Sequence, residues 1–346
     1  MRLNILRVLC SVAALATVAS NAPAQALFRN DAPIEVTLTT NLRELIAERD
    51  STLLEWYGAE MKWKDADGSE GTMAVELRAR GHFRRQSRNC SFPPLFVRAE
   101  REARDGSILQ GNPRVKLVTP CRTNSREYQN YIFTEYLAYR TYALIDSVNH
   151  RTRLAKVTYV DSTGRMKPVE VTAFFLETAE EVADEHKLEF TEQTGVTWEY
   201  IPAPVIDRIS LFQYWVANTD WSVAGLHNMV MFRSEPMVYR PVAYDFDWTG
   251  LVGTRYARPN TQLGLTSTRQ RLHRGPCRTA EQWAPTVAFF KSQRAAIDAL
   301  WTTPIPDYDE REMSRAKRYL DELWPMLDDP RAFKREIIDK CQREGN

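Results

Sequence analysis

The segment 218–248 constrains this chain more than any other. An apolar helical run with Ile206, Ile209, Phe212 and Val216 on one face gives out at Asn218. A polar loop follows, holding Asp220, and then strand, turn and strand between Asn228 and Asp245. The second strand leads into Tyr244-Asp245-Phe246-Asp247-Trp248, so a loop Asp, a strand-start Asn and two strand-end Asp must share one region. Carboxylates and an amide gathered at strand and loop ends suit a hard divalent cation that holds phosphate.

Each residue also has a plainer role. Asp220 either accepts a proton from an attacking hydroxyl or caps its loop by bonding backbone amides. Asn228 offers its amide oxygen to magnesium, or closes a turn. His227 reads as a structural residue, or as a hydrogen-bond partner for Asp220, rather than as a metal ligand. Asp245 and Asp247 share a face in extended geometry and so reach one ion, unless Arg255 or Arg258 pairs with them. Like charges that close require a cation between them.

The first half alternates strand-like segments with turns: 33–38, 72–80, 95–98, 114–119, 154–160 and 167–176. A helix is predicted over 126–145, with Tyr128, Ile132, Tyr136, Tyr139 and Ala143 on one face. After 72–80 come five arginines and a glycine, Arg78, Arg80, Gly81, Arg84, Arg85 and Arg88, a run that suits closure over a polyanion or simply a solvated face. Lys116 sits mid-strand between apolar neighbours, and Glu135 lies nineteen residues on, inside the helix. A strand Lys paired with a helix Glu is how protein kinases hold ATP phosphates; the plain alternative is an edge Lys and a surface Glu. Beyond the 228–245 hairpin, helices are expected over 282–301, 307–327 and 330–341.

Residues 1–26 look like a targeting segment, with Arg2 and Arg7 before an apolar run and Ala24-Gln25-Ala26 as a cleavage site near Ala26. That run is too short to span a bilayer and no later segment is long enough, so the expectation is a secreted or periplasmic bacterial protein with no membrane span. Its removal takes two Arg from 46 basic residues and none from 45 acidic ones, leaving 44 against 45. So even a balance argues against broad binding to nucleic acid. Cys90, Cys121, Cys277 and Cys341 remain, an even set that allows three disulfide connectivities. Proximity favours Cys90–Cys121 and Cys277–Cys341, with four unpaired thiols as the alternative.

With these residues in view, the chain resembles the CotH kinase family of exported, atypical protein kinases. The Arg-Gly segment 78–88, the strand Phe174-Phe175-Leu176-Glu177, Asn218-Thr219-Asp220 through Asn228, and Tyr244-Asp245-Phe246-Asp247 match it in order across most of the mature chain. The resemblance implies an α+β, two-lobed protein-kinase-like fold: a strand-rich lobe over 27–176 with one helix, and a helical lobe over 177–346. It implies transfer of phosphate from ATP to an unknown protein acceptor with Mg2+ or Mn2+. Asp220 would be catalytic, while Asn228, Asp245 and Asp247 would bind metal. Arg80, Lys116 and Glu135 would serve the ATP phosphates, and Glu177 would meet adenine at a hinge. Two features depart from the family: seven residues separate Asp220 from Asn228, and no Asp-Phe-Gly occurs, Asp247 standing where Gly is usual. They keep open a non-catalytic, secreted or envelope-associated binding protein, and a metal-dependent hydrolase using the same acids.

Overall fold

The computed structural model describes residues 25–342. All but the last two residues of the expected targeting segment lie outside them. Ala26 opens a short 3-10 turn, its N–H donating to the Gln110 carbonyl at 3.0 Å.

Seven strands form a closed barrel: β1 (Ile34–Thr40), β2 (Tyr57–Lys64), β3 (Glu70–Ala79), β4 (Leu95–Arg98), β5 (Arg114–Val118), β6 (Thr152–Asp161) and β7 (Val169–Leu176). Their order around the barrel is β1-β2-β3-β4-β5-β7-β6. Neighbours pair antiparallel except at the closing seam, where β1 runs parallel to β6 with Ile34 opposite Ala155 and Thr40 opposite Asp161. Side chains alternate between the two faces of a strand. Ile34, Val36 and Leu38 of β1, Met73, Val75 and Leu77 of β3, and Val171, Ala173 and Phe175 of β7 therefore fill the interior. Short helices α1 (Leu42–Ala47) and α2 (Arg101–Arg104) sit in the barrel connections. Arg153 is fully buried among the barrel's connections, donating to Ala32 O at 2.8 Å, Leu27 O at 3.0 Å and Asn30 Oδ1 at 2.7 Å while pairing with Asp65.

The long helix α3 (Arg126–Ile145) leaves β5 and lies against the outside of β6 and β7, where Phe174, Leu176 and Leu154 meet it. Fourteen of its twenty residues are buried, not one stripe, because it is covered by the barrel on one side and later helices on the other. The later helices are α4 (Ala179–His186), α5 (Ala203–Trp215), α6 (Ala280–Thr302), α7 (Glu310–Asp321), α8 (Leu323–Asp328) and α9 (Pro330–Phe333), of which α5, α6 and α7 pack on α3. Buried indoles tie them together: Trp301 donates to Thr141 Oγ1 at 2.8 Å, and Trp215 to the Leu320 carbonyl at 2.9 Å. The single helix predicted over 307–327 breaks after Asp321. Pro325 has no N–H to give Asp321 and its ring crowds that carbonyl. A three-stranded sheet, ordered β10-β9-β8, is built from β8 (Glu189–Thr191), β9 (Met229–Glu235) and β10 (Val238–Ala243).

The two-lobed, kinase-like fold expected from the resemblance is therefore corrected. The strands close into a mixed barrel, with a small separate sheet and helices around α3. Two local facts hid the closure. β2 alternates Tyr57, Ala59, Met61 and Trp63 with exposed Gly58, Glu60, Lys62 and Lys64, but only Met61 of it is fully buried, and this strand that bridges β1 to β3 was not among the segments expected from the sequence. The β1–β6 seam joins residues more than a hundred positions apart, which no local pattern records. Both disulfides favoured by proximity form, Cys90–Cys121 and Cys277–Cys341, as suits an extracellular or periplasmic protein. Among the described residues no helix is long and apolar enough to cross a membrane.

Candidate functional site

Helix α5 ends in a left-handed turn at Ala217, φ 51°, where the Ala217 and Asn218 N–H groups fold back onto the Tyr214 and Gln213 carbonyls. Asn218 Oδ1 accepts the Asp220 N–H at 3.0 Å, which closes the loop onto itself. Ser222 and His227 then exchange two backbone hydrogen bonds of 2.9 Å, returning the chain beside its starting point. Asn228 Nδ2 donates to the Asp220 carbonyl at 2.6 Å and to its carboxylate at 3.3 Å. His227 Nε2 lies 3.0 Å from the other carboxylate oxygen, as the sequence suggested for this residue.

Asn228 enters β9 and Tyr244 leaves β10 directly opposite it, Tyr244 N–H donating to Asn228 O at 3.1 Å. Asp245 follows, so residues 220, 228 and 245 all come to the open end of one hairpin. Asp245 has φ 61° and Asn228 φ 51°, both left-handed. Five of the seven described non-glycine residues with positive φ fall between Ala217 and Asp245. Such backbone costs about 1–3 kcal/mol a residue and tends to gather at functional sites. The strain at Asp245 is held by Tyr139, whose hydroxyl accepts the Asp245 N–H at 2.8 Å. The Asp245 carboxylate itself makes no ion pair and accepts no hydrogen bond among the described residues.

Behind Asp245 lies a buried charge cluster. Arg84 Nη1 stands 3.5 Å from Glu135 Oε2 and 3.6 Å from Asp247 Oδ2, and its Nη2 donates to Thr119 O. Tyr256 donates to Asp247 Oδ2 at 2.9 Å. One guanidinium thus faces two carboxylates. Burial first, then the neighbouring acids, raises both: Glu135 well above the usual range and Asp247 to about 7. Lys116 is covered as well, its Nζ 5.1 Å from the Tyr244 ring centroid. Burial and the nearby Arg80 pull its pKa down to about 7, against the support of Asp245.

Not every expected pairing forms. Glu135 pairs with Arg84 rather than with Lys116, because Arg84 enters the space between α3 and Asp247 from the loop after β3. Asp247 meets Arg84 and Tyr256, neither Arg255 nor Arg258; Arg255 instead pairs with Glu127. Glu177, expected to meet adenine, is fully buried and accepts from the Arg151 N–H at 2.7 Å and from Arg151 Nη2 at 2.6 Å, so both its carboxylate oxygens are taken up by Arg151. Arg80 does line the cleft, with His82, Glu135, Tyr139, Tyr244 and Asp245. Arg84, Tyr139 and Tyr256 were missed as site residues. Arg84 stood in a run read as surface charge, and only burial separates it from its four exposed or half-buried companions.

The donor set fits a magnesium-like ion in one respect. No three His, Cys, Asp or Glu side chains gather closely enough to hold a metal among the described residues. Asp245 with the amide oxygen of Asn228 makes an incomplete set of hard oxygens, and magnesium commonly completes such a set with water and substrate phosphate. No family model, curated protein or solved structure matches the chain.

Proposed function

We propose that this cleft performs metal-assisted transfer of a nucleotide phosphate, ATP being the expected donor, to a protein hydroxyl. The observation that carries it is the unpartnered Asp245 carboxylate, held on strained backbone beside the Asp220–Asn228 pair and supporting the charge of the half-buried Lys116. Asp245 and Asn228 would hold Mg2+ or Mn2+, which when bound neutralises phosphate charge. Asp220, oriented by His227 and Asn228, would take the proton of the attacking hydroxyl. Arg80 lines the cleft and Lys116 sits against Tyr244 of its wall, and both would draw charge off the phosphate oxygens. Buried, fixed dipoles and charges supply most of the rate in such a transfer, which needs little covalent help.

A thermal-shift titration with ATP and magnesium tests it. The wild-type chain should gain about 2.7 kcal/mol at a hundredfold excess over the dissociation constant. Asp245→Ala should lose that gain and any turnover; full turnover by this variant overturns the assignment.

One observation favours a second reading, a secreted or envelope-associated binding protein without catalysis. The cleft encloses only about 70 Å³, whereas sites for drug-sized ligands run to roughly 300–1,000 Å³. In that case no nucleotide shifts the melting temperature, with or without metal. Phosphate release with no acceptor present would instead mark a hydrolase.

A further inference from the structure

Leading up to the cleft at Arg80, the outer face of β3, β4 and β5 carries a ladder of arginines and aromatic rings. The strand register sets it out: Arg78, Phe96 and Lys116 stand opposite one another in one row, and Glu76, Arg98 and Arg114 in the next. Arg78 lies 4.5 Å from the Trp56 ring and 5.5 Å from Phe96, and Arg98 lies 3.9 Å from Trp56. Arg80 and Arg114 approach Phe96 at 5.4 and 5.0 Å.

Two of these cations are already neutralised, Arg98 by Glu76 at 2.6 Å and Arg114 by Glu180 at 2.8 Å. Arg78, Arg80 and Lys116 make no ion pair among the described residues. The Arg78 Nε is buried with no hydrogen-bond partner. After burial, the nearby Arg114 and Arg98 weigh against Arg78 carrying its charge, and Arg80 does the same to Lys116. A guanidinium stacked on a ring still presents its N–H fork in the plane of the group. The face is thus charged, ordered and short of anions.

We propose that this face binds an extended acidic polypeptide segment and delivers it to the cleft. It thereby names the acceptor class, resting in that last respect on the phosphotransfer proposed above. Arg78 near the end of β3 and Arg80 just past it, whose N–H still donates to Pro94 O at 2.9 Å, are two residues apart, about 6.7 Å if extended, which is the repeat of alternate side chains in an extended peptide. Lys116 stands two strands over from Arg78 at roughly 10 Å and Arg80 lines the cleft with Asp245, so acids at alternate positions meet the arginines while a neighbouring hydroxyl reaches Asp245. Single-stranded nucleic acid fits less well. It binds by stacking bases on aromatic rings, and Trp56 and Phe96 already hold guanidinium groups.

Fluorescence anisotropy on the full chain, with no nucleotide or metal, tests the docking face. A short alternating Glu-Ser peptide should bind, weaken as salt is raised, and outcompete its Lys-Ser counterpart and oligothymidine. Arg78→Gln with Arg80→Gln should weaken binding by at least about tenfold, while Lys156→Gln on β6 should leave it unchanged. Should the double variant fold poorly, Glu76→Gln with Glu180→Gln frees Arg98 and Arg114 and should tighten binding. No preference for the acidic peptide, or unchanged affinity in both pairs of variants, overturns the proposal. Peptide binding that persists in Asp245→Ala without turnover in any form of the protein would remove the phosphotransfer and leave the docking face. Turnover with no preference for acidic acceptors would do the reverse.

Discussion

Asp247 holds its proton to about pH 7, since burial and the charge of Asp245 oppose its ionisation more than Arg84 favours it. The folded chain therefore binds this proton more tightly than the unfolded chain, where the carboxyl titrates near 3.8. Its contribution to stability is largest below pH 3.8 and declines as pH rises to about 7. Urea midpoints across that window should fall in the wild type and flatten in Asp247→Asn. Lys116 has the opposite sign. Its folded pKa of about 7 lies below its ordinary 10.5, so the folded chain binds fewer protons and stability rises with pH between those values. Lys116→Met should stabilise the fold most below pH 7 and lose that advantage near 10.5, read by the same denaturation series. If Lys116 serves only packing, Met will cost no function; on the phosphotransfer proposed here it abolishes turnover. At this scale the sequence was partly legible. Polar residues in an apolar setting drew attention to Lys116, Asp220, Asn228, Asp245 and Asp247. Their partners were not legible, since Arg84 is distinguished from Arg85 and Arg88 by burial alone.

At the scale of elements, the loop between β3 and β4 decides whether Arg84 reaches the cluster. The Cys90–Cys121 disulfide fastens this loop to the end of β5, the strand run whose Thr119 carbonyl accepts from Arg84. Ser91 adds to the fastening, its N–H donating to Cys121 O at 2.9 Å. Replacing both cysteines by serine should cost about 2–4 kcal/mol in chemical denaturation. It should also release Arg84, and on the metal-assisted transfer proposed above it would weaken magnesium binding beyond the stability loss. The helices α3 and α5 were predicted nearly to their ends, because twenty and thirteen residues give periodicity room to show. β8, at three residues, leaves no comparable pattern, β2 alternates but buries only Met61 fully, and Pro325 divides a helix whose two halves look continuous by hydropathy.

Across the whole molecule, the barrel's connections are held by one buried ion pair. Arg153 of β6 reaches the turn between β2 and β3 at Asp65 and the chain before β1 through Leu27, Asn30 and Ala32. Removing one partner of a buried pair leaves the other uncompensated, at about 3–5 kcal/mol. Arg153→Leu should therefore lose that much stability in urea, and adding Asp65→Leu should restore part of it; full stability in the single variant would show that the pair does not hold the barrel. The helical half is closed separately by Cys277–Cys341. By itself the sequence determined the helix α3, the run of α5 into a polar loop, the hairpin that carries Asn228 and Asp245, and a favoured cysteine pairing, because each depends on neighbours or on short chain distance. Only the tertiary structure decided that the strands close on themselves, that Arg84 takes Glu135 from Lys116, and that Glu177 turns to Arg151. Those outcomes depend on which distant groups compete for the same buried charge, and no residue's neighbours along the chain record that competition.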